Sequence, residues 1–315
     1  MQDPDESNKI WTIILAGGEG RRLRPMISRW LGRPKPKQYC TFVGTRSMFQ
    51  HTLDRSDQIT SPEQKVIVAG RAHCKMATAQ IGDRYPGKLL LQPKNRGTAA
   101  GIFLATTYIK AKVPDATVLI LPSDHFIFPE EKFNATMRKT VLIAQKMRNR
   151  LVLLGIRPDE PESDYGYIFP GGNLSRIDGQ RISAVDNFLE KPDLNRSMAA
   201  LASGALWNTF IVASRVETLW GLGCQYFPSM ISLFEKFAKS IGTKEEEASL
   251  GRIYRSMPIR DFSSELLQPS RQQTAVMELN DFLWCDWGRP KRIVETLRRI
   301  GKTPAFAPEL ATMTN

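Results

Sequence analysis

The sequence predicts an α/β fold, a largely parallel sheet covered by helices on both faces and followed by a β-rich elaboration. Three observations predict it. Short aliphatic runs alternate with longer stretches of helical spacing through the first half of the chain. The first of these runs ends in a cluster of glycines, and beyond Arg157 the alternation gives way to strand-like runs separated by polar turns.

Taken in order, Trp11 to Ala16 is a short apolar run of the kind that makes a buried strand. Lys65 to Ala69 and Lys88 to Gln92 are further aliphatic runs, and Thr98 to Lys112 has the length and apolar content of a helix. Ala116 to Leu121 reads as a strand, and Glu130 to Met147 repeats Phe133, Met137, Val141 and Ala144 at helical spacing. Leu151 to Gly155 is another strand. Tyr165 to Phe169, Ile182 to Leu189 and Leu206 to Ala213 are strand-like, Trp220 to Lys239 is helical with a break at Pro228, and 243–273 mixes charge with a few apolar anchors. A last helix begins near Pro290, buries Ile293, Leu297 and Ile300, and stops at Gly301. No Pro/Gly/Ser linker divides the halves, so one domain is expected over 9–302. Its parts are 9–157, 158–280 and a closing strand and helix at 281–302, with a flexible segment at 1–8 and a tail at 303–315. In such a sheet, ligands bind outside the carboxyl ends of the strands.

At 315 residues the chain can bury a sizeable core, and 42% hydrophobic with 24% charged residues is ordinary for a globule. The net charge of +12 favours an anionic partner: nucleotide, nucleic acid or membrane surface. No apolar run is long enough to span a bilayer, and the acidic start, Met1 to Ser7, lacks the pattern of a signal peptide, so a cytoplasmic protein without membrane partners is expected. Cys40, Cys74, Cys224 and Cys285 lack CxxC spacing, which argues against a structural zinc site and a disulfide framework. Basic residues near the last helix, Arg289, Lys291, Arg292, Arg298 and Arg299, have no recognisable nucleic-acid motif beside them, so no nucleic-acid partner is expected.

The chemistry concentrates at Gly17, Gly18 and Gly20, which are followed by Arg21, Arg22, Arg24, Arg29, Arg33, Lys35 and Lys37. Glycines let backbone N–H groups approach a ligand, and cations hydrogen-bond oxyanions. A tight turn beside a solvated basic face is the plain alternative. Neither GxxxxGK[ST] nor GxGxxG can be written here, since Leu23 stands where the third glycine would be. Two aspartates end strand-like segments, Asp124 in Leu121-Pro-Ser-Asp-His125 and Asp286 in Trp284-Cys-Asp-Trp-Gly288. Taken singly, each reads as a turn former or helix cap. Contiguous Ser123, Asp124 and His125 cannot form a hydrolase triad, which requires spatial geometry.

The string LAGGEGRRLRP followed by PKPKQ resembles the signature of sugar-1-phosphate nucleotidylyltransferases, and within them most resembles mannose-1-phosphate guanylyltransferases. The resemblance implies a mostly parallel Rossmann-like sheet of the nucleotide-diphospho-sugar transferase type, with the β-rich part binding sugar. It implies catalytic roles for Arg22 and Lys37 and nucleotide contacts from Leu15, Ala16, Gly17, Gly18, Gly20, Gln92, Arg96, Thr98 and Ser123. It further implies sugar-phosphate contacts from Gly166, Glu190, Lys191 and Asn208, and a Mg2+ ion on Asp124 and Asp286. The implied reaction joins a nucleoside triphosphate, GTP first, to a sugar 1-phosphate, mannose 1-phosphate first. Another base or sugar, an inactive regulatory homologue and a homo-oligomer stay open. Four departures stand out: Arg21 and Asp164 where the family has small residues, Gly97 in place of the asparagine of RNTA, and Phe210 where the WNSG segment has glycine.

Overall fold

A computed structural model describes residues 9–82 and 85–311. The expected flexible segment at 1–8 and the last four residues of the expected tail lie outside them. β1 (Ile10–Ala16), β2 (Lys65–Gly70), β3 (Lys88–Gln92) and β4 (Thr117–Pro122) run parallel, in the spatial order β3-β2-β1-β4. Such strands are buried on both faces, which is why they read as unbroken aliphatic runs. β5 (Phe126–Phe128) leaves this sheet. β6 (Leu151–Ile156), β7 (Gly166–Ile177), β8 (Gln180–Glu190), β9 (Leu206–Arg215) and β10 (Thr274–Leu279) extend it to nine strands, in the order β4-β9-β6-β10-β8-β7. β10 is parallel to β6, whereas β9 is antiparallel to β4 and β6.

Ten helices of eight residues or more are described. They are α1 (Arg24–Leu31), α2 (Met48–Asp57), α3 (Cys74–Ile81), α4 (Gly97–Lys112), α5 (Glu130–Lys146), α6 (Leu194–Ala202), α7 (Val216–Tyr226), α8 (Pro228–Ala238), α9 (Glu246–Ser256) and α10 (Pro290–Arg299). α4 is buried without interruption from Ala99 to Ile109, and it packs on Ile13, Val66 and Val68 from one side of the sheet. α5 covers the other side of β4 and β6 through Phe133, Met137, Val141 and Ala144, set against Leu119, Leu121, Val152 and Leu154. Each fully buried Phe, Met or Val contributes about 1.5–3 kcal/mol, so these two faces fix the layered architecture.

The break foreseen at Pro228 separates α7 from α8. The mixed segment 243–273 resolves into α9 and a π-helical turn at Ser263–Leu267, leading into β10. The tail expected at 303–315 is docked as far as it is described. Phe306 is buried with its ring centroid 5.6 Å from that of Trp30, and Ala305 N–H donates to the Phe42 carbonyl at 2.8 Å.

Two topological facts position the site. β9 is antiparallel to β4 with Ile120 opposite Val212, so Phe210 comes level with the last residue of β4 and Leu206 to Thr209 lie beyond its carboxyl end. β11 (Leu283–Cys285) pairs with β5 in a separate ribbon with Cys285 opposite Phe126, and this carries Asp286 back to the His125 corner.

Candidate functional site

A cleft of about 490 Å³ opens at the carboxyl edge of the parallel strands. Gly17, Gly18, Arg22 and Lys37 form one wall, Ser123, Asp124, His125 and Asp286 the floor, and Gly166, Glu190, Lys191, Asn208 and Phe210 the far end. Leu15, Gln92 and Thr98 complete the near end. Most of the residues expected from the sequence thus converge.

The loop after β1 is held by its own downstream segment. The Gln38 side-chain amide donates to the Ala16 carbonyl at 2.9 Å and to the Gly18 carbonyl at 2.8 Å, and the Tyr39 hydroxyl donates to Ala16 O at 3.2 Å. Gly20 takes φ 59, and a Cβ there would press on the Lys37 backbone at 3.0 Å, so glycine is required for the turn to close on Lys37. Ala16 and Gly20 therefore shape the loop, and Gly17 and Gly18 are its residues that line the cleft. Of the seven loop cations only Arg22 and Lys37 face the cleft. Arg24, Arg29 and Arg33 are exposed around α1, and Arg21 pairs with Glu19 at 2.7 Å in solvent.

Lys37 is the most enclosed cation of the site, 4% exposed. Its Nζ lies 2.9 Å from Asp124 Oδ2 and donates to the main-chain carbonyl of Asp286. Burial by itself would raise the Asp124 carboxyl; Lys37 and then His125 outweigh it and hold it below the usual range. His125 is pushed down by burial, and its Nδ1 accepts from Trp284 Nε1 at 3.3 Å, leaving Nε2 toward Asp124.

Asp286 is buried and fully partnered. Oδ1 accepts from the Tyr165 hydroxyl at 2.7 Å and from Gly288 N–H at 2.8 Å, while Oδ2 pairs with Arg22 Nη2 at 2.9 Å. Burial raises its carboxyl, but Lys37, the Tyr165 hydrogen bond and Arg22 together bring it below the usual range. Arg22 also pairs with Asp164 at 2.6 Å, and Asp164 with Arg289 at 2.9 Å. Arg292 donates to the Tyr165 hydroxyl at 2.8 Å and pairs with Glu162. Asp164 and Asp286 thus hold the Arg22 guanidinium between them at the cleft wall.

Sequence reasoning did not single out Tyr165 or Arg292 as site residues. The signal available was adjacency, since Tyr165 precedes Gly166 and Arg292 sits in the first turn of the helix after Asp286.

Arg96 corrects an expectation. Its guanidinium leaves the cleft and donates to the carbonyls of Tyr254 at 3.1 Å and Arg255 at 3.2 Å, in the last turn of α9, where unpaired carbonyls attract a cation. The next residue explains the geometry. Gly97 has φ 82, and a Cβ would lie 2.1 Å from the Arg260 carbonyl oxygen, so the asparagine of the RNTA pattern cannot stand here. The Arg260 to Ser263 segment instead clamps the start of α4, through Ala99 N–H to Arg260 O at 3.3 Å and Thr98 Oγ1 to Asp261 at 3.1 Å. Gln92 is set by Tyr254, whose hydroxyl donates to Oε1 at 3.1 Å.

At the far end, the position of a Cβ on Gly166 falls 2.7 Å from Glu190 Oε2 and 3.4 Å from Asn208 Cβ, so these three residues form one patch. Burial pushes the Glu190 carboxyl up, and Lys191, 2.9 Å away, only partly offsets it. Lys191, Phe210 and Trp287 all have positive φ, 46, 57 and 47. For side chains of this size each costs on the order of 1–2 kcal/mol, a strain typical of functional sites.

Two carboxylates with substrate phosphates and water completing the shell are the usual donor set for Mg2+. Asp124 and Asp286 are two such groups; Lys37 pairs with the Asp124 carboxylate and donates to the Asp286 main-chain carbonyl, and His125 Nε2 lies 3.8 Å from Asp124 Oδ1. The residues present therefore fit an ion in kind, with Asp124 the more accessible ligand. Among the described residues no set of three or more His, Cys, Asp or Glu gathers as a metal centre.

Xanthan biosynthesis protein XanB of Xanthomonas campestris pv. campestris (strain B100) is 40% identical over 203 residues, 64% of this chain and 41% of that protein. Mannose-1-phosphate guanylyltransferase of Escherichia coli is 28% identical over 288 residues, 90% of this chain and 60% of that protein. The chain thus spans about half the length of these curated relatives. The crystal structure of mannose-1-phosphate geranyltransferase from Thermus thermophilus superposes with a TM-score of 0.77 at 23% identity, covering 91% of this chain and 79% of that one. That likeness shows the fold. Residues 11–303 match the nucleotidyl transferase (NTP_transferase) family from the glycine loop to the end of α10, and the chain belongs to that family.

Proposed function

We propose that this protein transfers a nucleotidyl group from a nucleoside triphosphate to a sugar 1-phosphate and releases pyrophosphate, with GTP and mannose 1-phosphate as the first pair to test. The observation that carries this reading is the placement of Lys37 between the Asp124 carboxylate and the Asp286 carbonyl, in one cleft with Glu190, Lys191 and Asn208. The relatives named mannose-1-phosphate guanylyltransferase support the choice of pair.

Both reactants are polyanions. Two unit charges at 4 Å repel by about 4 kcal/mol at an effective dielectric near 20, so the approach needs fixed counter-charge. In this reading the Gly17 and Gly18 backbone and Arg22 hold the triphosphate, and Arg22 exchanges Asp164 and Asp286 for phosphate oxygens. Lys37 stabilises charge developing at the α-phosphoryl group, and Lys191 meets the sugar phosphate. A Mg2+ ion on Asp124 and Asp286 would neutralise phosphate charge when bound. The attacking phosphate is already ionised, so no general base is required of the chain.

A pyrophosphate-release assay with five nucleoside triphosphates against several sugar 1-phosphates, with Mg2+, tests the reading. Turnover only in the presence of both substrates is expected, and none with any pair refutes it. A pH series gives a second test. Because burial raises the Glu190 carboxyl, it should lose its proton-accepting form as pH falls to values still above 4.5, the ordinary carboxylate value. KM for the sugar phosphate is expected to rise over that range, and Glu190→Gln to raise KM at neutral pH and flatten the profile. Identical profiles in both proteins would remove Glu190 from sugar binding.

A further inference from the structure

Phe210 occupies a position whose backbone favours glycine, and the surrounding structure is built to keep it there. Between Leu153 and Gly155 of β6 the register against β9 slips, with Leu153 opposite Val212 and Gly155 opposite Asn208. Leu154 of β6 thus stands against Thr209, Phe210 and Ile211 of β9, which form a bulge. Bulges beside active sites re-aim side chains, and they leave ladder groups to be satisfied elsewhere. Both requirements are met here. Thr209 is fully buried; its hydroxyl donates to the Leu154 carbonyl at 2.7 Å and accepts from Ile211 N–H at 3.3 Å. Phe210 N–H donates to Asn208 Oδ1 at 3.1 Å, which fixes the Asn208 amide.

The ring that this bulge directs into the cleft shares its far end with Gly166, Glu190, Lys191 and Asn208. It is backed edge-on by the buried Phe262, with ring centroids 6.1 Å apart at 73°. An apolar wall therefore stands beside the polar groups expected to hold sugar hydroxyls. A hydroxyl turned toward such a wall loses water and gains no partner, whereas a C–H group loses nothing.

We propose that Phe210 is a specificity-determining residue of the sugar subsite, admitting hexose 1-phosphates that present C–H groups to its ring and rejecting epimers that would turn a hydroxyl against it. This rests on the sugar-1-phosphate reading above. The strain at φ 57 is retained because a glycine here would leave that end of the cleft unselective.

The test is kcat/KM for mannose, glucose and galactose 1-phosphates at saturating nucleoside triphosphate, in the native protein, Phe210→Gly and Phe210→Asn. Glycine and asparagine both suit positive φ, so folding is preserved, and thermal melts check it. The ratio of the best to the poorest sugar should fall by about tenfold or more in both variants, as expected for rejection by an unpaired hydroxyl. KM for the triphosphate should stay within about threefold, since Phe210 is assigned to the sugar end. Ratios within about twofold of native, or a native protein that does not discriminate, overturn the assignment of Phe210. A native protein that neither turns over nor binds any of the sugar phosphates by calorimetry overturns the underlying reading instead, and the inference with it.

Discussion

Lys37→Ala is expected to lower kcat by roughly 10² or more, the usual cost of removing one preorganised donor from a site where charge develops. The expectation rests on how firmly Lys37 is placed. The turn Lys37–Tyr39 is tied to the glycine loop by Gln38 and Tyr39, and the ammonium is fixed by Asp124 and the Asp286 carbonyl. Little is reorganised when the reactants arrive. Truncation also leaves Asp124 without its strongest counter-charge, so its carboxyl should move up toward the ordinary value. Sign and window follow from that direction. A depressed carboxyl stabilises the fold above its unfolded value and loses that contribution as pH falls through the folded one, so the native protein should resist mild acid better than the variant. Single-turnover kinetics and acid melts measure the two effects, and a near-native kcat would remove Lys37 from the chemistry.

The two aspartates should separate by what else each one holds. Asp286→Ala removes the acceptor shared by Tyr165, Gly288, Arg22 and Arg292. Arg292, only 8% exposed, would keep Glu162 but lose its carboxylate on the other side. Leaving the Tyr165 hydroxyl and Gly288 N–H without their acceptor costs about 1–3 kcal/mol each, so loss of activity should come with a clear fall in Tm. Asp124→Asn, which keeps an oxygen acceptor for the enclosed Lys37, should abolish Mg2+-dependent turnover with a smaller change in Tm. Equal Tm losses would show that Asp124 is as structural as Asp286. Full Mg2+-dependent activity in both variants would end the metal assignment.

Legibility in the sequence followed how local each feature is. The strand into Ala16, its glycine loop and the Pro36-Lys37-Gln38 segment lie within 28 residues, and their roles depend on near neighbours. Helices α4 and α5 were legible because burial leaves a long apolar or periodic record. Segment 243–273 left a fainter record: Leu250, Ile253, Tyr254, Phe262, Leu266 and Leu267 are buried in the main core, but they are divided among α9, a turn and a π-helical stretch and interleaved with charge, so no single period runs through them. The resemblance implies a nucleotide contact for Arg96, yet the carbonyl end of α9, 158 residues on, takes its guanidinium.

By itself the sequence determined the α/β layering and the glycine loop, because periodicity and short runs are written in adjacent residues, and the choice of Arg22, Lys37, Asp124 and Asp286 as the groups to watch came from the family resemblance that its motifs carry. Only the tertiary structure decided that the β5–β11 ribbon returns Asp286 to Lys37, that Asp164 and Asp286 share Arg22, and that a bulge in β9 turns Phe210 inward. The physical reason is common to all three. Each depends on strand pairing and ion pairing between segments far apart in the chain, and these energies exist only once the sheet has formed.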